Sequence, residues 1–178
     1  AQAACNILAI PLTQAIQQNY PNIELTLNYG TTDFLNQWLS SGQIDLAITY
    51  ANTVCDKNFC GTPLTNEHIY LVIGTQQSSD SYQKLVEQDS IEFRQLADFE
   101  IILPHQNDPL VQMLNRYETQ TGVRIWSKQN FGLLMTNLRY VTDGLGLMIL
   151  PSSATFHLEK TKQLKAIPII KPELTRDV

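Results

Sequence analysis

The chain has 178 residues, and 43% of them are hydrophobic, enough to fill a core and to exclude wholesale disorder. Its 12 Lys and Arg stand against 17 Asp and Glu, a net charge of −5, and no two basic residues are adjacent. This leaves no basic footprint for nucleic acid. The longest apolar runs fall far short of the roughly 20 residues of a membrane helix, and no charged n-region with an apolar core opens the chain. Three cysteines, Cys5, Cys55 and Cys60, are too few and too oddly numbered for a disulfide framework. A reducing cytoplasm fits them best.

In chain order, Ile7, Leu8, Leu12, Ala15 and Ile16 recur at helical spacing, with Pro11 set to kink that helix or start it. Ile23, Leu25, Leu27 and Tyr29 alternate with polar residues, which predicts a strand. Gly30-Thr31-Thr32 turns into a helix bearing Leu35, Trp38 and Leu39, capped by one of the threonines. Residues 44–50 are almost wholly apolar and read as a buried parallel strand. The first 50 residues thus read helix, strand, helix, strand, with a βαβ unit inside.

Residues 51–65 read as loop, 69–73 as strand, and 74–90 as a solvated connection with one helical turn. A strand over 99–103 ends at Pro104. Asp108 caps a helix that starts at Pro109 and stops at Gly122. A strand follows near Val123, Ile125 and Trp126. Leu134, Leu138 and Val141 mark a helix closed by Gly144 in the left-handed conformation. Residues 146–150 are a buried strand, Pro151 opens a short helix, 164–170 are extended, and the end is ragged. The alternation defines an α/β fold with two βα clusters joined by two crossing strands, an arrangement suited to hinged closure on a ligand.

Catalytic and metal signatures are weak. Gly144-Leu145-Gly146 lacks the third glycine of a dinucleotide loop, where Ile149 stands, and it follows a helix instead of preceding one. There is no G-x-S-x-G elbow. His68, His105 and His157 are far apart, and Cys55-x4-Cys60 lacks a second ligand pair. Asp98 with Glu100, and Asp45 with Asp56, read as solvated edge positions. No catalytic residue, metal or cofactor is expected. Polar-ligand candidates lie where strands end: Thr31 and Thr32, whose hydroxyls adjoin unpaired helix N–H groups; Tyr50 after the buried strand; and His105 and Asn130 after two later strands.

Several stretches resemble the effector-binding domain of LysR-type transcriptional regulators. They are Tyr20-Pro21-Asn22-Ile23-Glu24-Leu25-Thr26-Leu27, Gly30-Thr31-Thr32, Gly42-Gln43-Ile44-Asp45-Leu46-Ala47-Ile48, Glu67-His68-Ile69-Tyr70-Leu71-Val72, and Gly144-Leu145-Gly146-Leu147-Met148-Ile149-Leu150-Pro151. Gly-Thr-Thr and Leu103-Pro104-His105 lean toward the branch of the nitrogen assimilation control protein.

The resemblance implies two Rossmann-like subdomains resembling type 2 periplasmic binding proteins. Subdomain I is residues 1–67 plus 167–178, with its first strand apparently missing, and subdomain II is 68–166. It implies a small-molecule effector between them, contacted by Thr31, Thr32, Thr49, Tyr50, His105 and Asn130. It also implies a cytoplasmic homodimer or homotetramer, in which Leu8, Leu12 and Ile16 pair with a partner's helix, and DNA contact only through a winged helix-turn-helix outside this stretch. This chain departs from the pattern at Gly132 and Leu133, where a polar cleft residue is usual, and at 75–92, which is longer than the norm. The alternative reading is a periplasmic-type solute-binding protein of a transporter.

Overall fold

The computed structural model describes residues 2–50, 59–77, 79–128, 132–159 and 162–178. The chain divides into two compact units: Ala1–Glu67 with Arg176–Val178, and His68–Thr175. The residues at 167–175, placed with the first subdomain on sequence grounds, cluster with the second unit, because Ile167 and Ile169 are buried in its core.

In the first unit, α1 (Gln2–Asn19) runs straight through Pro11 in sequence, so the proline does not set its start. Pro11 forfeits one backbone donor. The helix keeps its neighbouring turns, and Thr13 Oγ1 donates to the Ala9 carbonyl at 2.7 Å. Helix α2 (Thr32–Ser40) starts after Thr31, which has extended backbone and accepts from the Leu35 N–H at 3.0 Å. Its hydroxyl makes no capping bond, contrary to expectation. Leu35 is the buried residue of this helix, and Trp38 stacks on Phe34 with ring centroids 5.9 Å apart.

Among the described residues, the segments 23–29 and 44–50, expected as strands, are not strands of the sheet, so the expected βαβ unit is not seen there. Alternation fixes which side chains share a face, whereas a strand exists only if a neighbour takes up its backbone groups. Leu46 accordingly stands 89% exposed, and Ile23, Leu27 and Tyr29 are exposed as well.

The second unit is built on a sheet of order β2-β6-β1-β5-β3-β4, with β7 also paired to β1. Its strands are β1 (Asn66–Gly74), β2 (Ile91–Glu92), β3 (Glu100–Ile102), β4 (Trp126–Lys128), β5 (Leu147–Pro151), β6 (Leu164–Ile170) and β7 (Thr175–Asp177). Strand β1 is central and antiparallel to both β5 and β6. Strands β3, β4 and β5 run parallel, with β3 in the middle. All of β5 is buried, as a near-continuous apolar run requires. Beneath the sheet, Phe93, Leu96, Leu110, Leu114 and Ile149 share one core.

The connection at 74–90 contains a two-turn helix, α3 (Asp80–Val86), rather than one turn. Its signal was Leu85, which is fully buried, flanked by Tyr82 and Val86 against the same core. Lys165 Nζ satisfies the end of that helix, donating to the carbonyls of Val86 (2.6 Å) and Gln88 (2.8 Å). A short 3-10 helix over Phe93–Asp98 follows β2.

Helix α4 (Pro109–Thr121) begins as its sequence dictates: Asp108 Oδ1 accepts from the Leu110 N–H at 2.8 Å, and Gly122 closes it at φ 71°. Strand β4 starts at Trp126, later than the predicted Val123. The Ile125 N–H is taken by the Glu118 carboxylate and is lost to the ladder. Helix α5 (Leu134–Thr142) ends before Gly144 at φ 75°, and α6 (Ser152–Glu159) follows β5 directly. The C-terminus is ordered as β7 instead of ragged.

Candidate functional site

Four of the six expected ligand residues lie in the first unit. Thr31 and Thr32 stand at the N-terminus of α2, exposed and half-buried respectively. Helix N–H groups there lack intrahelical acceptors, so two hydroxyls beside them make a polar surface. Thr49 and Tyr50 are half-buried.

Sequence reasoning missed two residues beside Tyr50. The Arg176 guanidinium carbon lies 3.8 Å from the centroid of the Tyr50 ring. Arg176 Nε also donates to Glu67 Oε2 at 3.0 Å, with the Arg and Glu side chains only 11% and 6% exposed. Glu67 belongs to β1 and Arg176 to β7, which are paired, and Asn66 Nδ2 donates to Asp177 Oδ1 at 2.7 Å one step along. A lone Arg among the last residues of a chain gives no sequence signal. Only the return of β7 beside β1 reveals it.

In the second unit, β3, β4 and β5 end toward the starts of α4, α5 and α6, the arrangement that gathers helix N-termini at one edge of a parallel sheet. His105 follows β3 and is exposed. Its backbone carbonyl accepts from the Asp108 N–H at 2.8 Å, fixing the turn into α4. Its Nδ1 accepts from the Asn107 N–H at 3.4 Å. Asn130, like Cys55 and Asp56, lies outside the described residues.

Elsewhere in this unit, His68 Nδ1 meets Glu173 Oε1 at 3.0 Å on the rim of a groove of about 170 Å³, floored by Ile69, Ile169 and Leu174. None of the expected residues lines it. Among the described residues, no group of three or more His, Cys, Asp or Glu could hold a metal ion. Cys5 and Cys60 are free thiols. No helix among the described residues is long and apolar enough to cross a membrane.

These features define a mixed α/β protein in which helices begin just beyond the ends of parallel strands. The LysR substrate binding domain family matches residues 1–178, and the chain belongs to that family. Its fold is the type 2 periplasmic-binding-protein-like fold of LysR effector-binding domains.

The chain is 22% identical over 151 residues to the nitrogen assimilation regulatory protein nac of Klebsiella aerogenes, covering 85% of this chain and 46% of that one. It therefore spans about half the length of that relative. Its fold matches the CcmR regulatory domain of Synechocystis PCC6803 in complex with 2-PG, with a TM-score of 0.79 at 14% identity over 98% of this chain and 81% of that one. It also matches the effector-binding domain of QuiR in complex with shikimate, with a TM-score of 0.73 at 18% identity over 98% and 80%. None of these three relatives is an enzyme.

Proposed function

We propose that this chain is the effector-sensing part of a LysR-type transcriptional regulator. In this reading it binds a small polar metabolite between subdomain I and subdomain II. Thr31, Thr32, Thr49 and Tyr50 contact the metabolite from one side, and His105 and Asn130 from the other. The hydroxyls and helix N–H groups at the start of α2 supply donors, Tyr50 supplies an aromatic surface, and His105 offers its imidazole. Binding would favour one angle between the subdomains and so bias a homodimer or homotetramer in the cytoplasm. A separate DNA-binding domain of the same protein would carry the readout to the genome, consistent with the net charge of −5 here.

The observation that carries this reading is the family match across 1–178, joined to two regulatory relatives of the same fold held with small acids. The test is a thermal-shift screen of small polar metabolites, with shikimate and 2-PG in the panel. A ligand at 100 times its Kd adds about 2.7 kcal/mol, which raises the Tm by about 5–10 °C in a domain of this size. Thr31→Ala and His105→Ala should each weaken a confirmed hit at least several-fold. Affinity unchanged in both variants refutes the site.

A further inference from the structure

The first unit holds a charge pair that the proposed ligand contacts do not use. Glu67 and Arg176 face each other at 3.0 Å across β1 and β7, and both are nearly withdrawn from solvent. Withdrawing two charges from water costs about as much as their attraction returns, so such a pair is a poor device for stability alone. It is a good device for fixing geometry. An Arg anchored through Nε presents a rigid planar cation, and here that cation lies within van der Waals distance of one face of the Tyr50 ring. A cation over the ring face is attracted by the ring quadrupole, and more strongly where water is excluded.

We propose that Arg176, anchored by Glu67, is a positioning residue that sets the plane of the Tyr50 ring. Glu67 fixes the guanidinium, and the guanidinium covers one ring face. An effector then meets a Tyr50 ring whose plane is already set. This rests on the reading that Tyr50 contacts effector, and it adds two residues that never touch the effector themselves. On this proposal Lys is no substitute for Arg, since an ammonium would keep the charge pair yet lose the flat surface.

The test is fluorine NMR of the protein labelled with 3-fluorotyrosine at its seven tyrosines, with the Tyr50 line assigned by Tyr50→Phe. In the unaltered protein the Tyr50 line should lie away from the free amino acid position. In Arg176→Lys it should move toward that position, while the lines of Tyr70, Tyr82 and Tyr117 in the second unit hold still and report an intact fold. Glu67→Gln, which keeps the Arg but weakens its anchor, should move the Tyr50 line by a smaller amount in the same direction. A Tyr50 line that stays in place in Arg176→Lys overturns the proposal. So does a wild-type Tyr50 line at the free position, a measurement that needs no change at Arg176 or Glu67. Tyr50→Ala in the ligand screen reports separately on effector contact. Unchanged affinity there refutes the contact and leaves the ring-positioning result standing.

Discussion

Two glycines that end helices in the same way should respond very differently to alanine. Gly122 after α4 has φ 71° and Gly144 after α5 has φ 75°, so both occupy the left-handed region. An L side chain there costs about 1–2 kcal/mol. The more restricted unfolded chain returns about 0.4–1 kcal/mol. Around Gly122 an added Cβ meets nothing within 4 Å, so Gly122→Ala should cost about 1 kcal/mol in total. At Gly144 the same Cβ would lie 2.5 Å from the backbone carbonyl oxygen of Gln76, just beyond β1. Backbone cannot swing aside as a side-chain tip can, and overpacking of this kind adds about 1–3 kcal/mol. Gly144→Ala should therefore lose about 2–4 kcal/mol. Urea unfolding followed by circular dichroism measures both. With about 2–4 °C of Tm per kcal/mol, a 2 kcal/mol gap separates the variants by roughly 4–8 °C. Equal losses would show that the loop after β1 does not press on Gly144 and would refute the reasoning.

Other outcomes follow from side-chain bonds. Asp108→Ala removes the only side-chain cap described for α4 and should cost about 1 kcal/mol, read as a lower urea midpoint with an unchanged slope. Glu67→Ala strands the buried Arg176 and should cost about 3–5 kcal/mol, whereas replacing both partners by Gln should cost clearly less. Glu92 supplies a pH test. The hydrogen bond from Lys171 Nζ at 2.8 Å, against a smaller opposing effect of desolvation and with help from Arg94, holds its carboxyl below the usual range. A lowered folded value means that the contribution is present above the unfolded value of about 4.3 and fades as pH falls through the folded one. Lys171→Met should therefore be less stable than wild type at pH 6–8, and the difference should shrink once pH falls below about 4.3 and close below the lowered folded value. A gap that is constant across that range would exclude the linkage.

Helix ends were the most legible part of the sequence. Asp108-Pro109 and the glycines at 122 and 144 carry their geometry locally, through a side-chain oxygen, a fixed φ and the absence of a Cβ. The apolar run of β5 also announced itself, since burial on both faces leaves no polar alternation. Strand pairing was less legible. The alternation at 23–29 is as regular as any in the chain, yet it names no partner, and among the described residues the segment is not a strand of the sheet. Helix α3 was hidden because its apolar face is only Tyr82, Leu85 and Val86, too short a run to show a helical period amid the polar residues around it. Of the candidate site, position after a strand end pointed to Thr31, Thr32, Tyr50 and His105. Arg176 stayed invisible because its role depends on a contact with residue 67, more than a hundred positions away.

The borders of the second unit's sheet are stubs. On the path through the sheet, β2 has two residues at one margin and β4 has three at the other, while the long strands β1 and β6 lie inside. Against β2 and β4 themselves, a foreign strand would find only two and three residues to pair with. Short border strands of this kind offer little main chain to a neighbouring copy, which shifts recognition at those two strands toward side chains, where single substitutions can rewrite it.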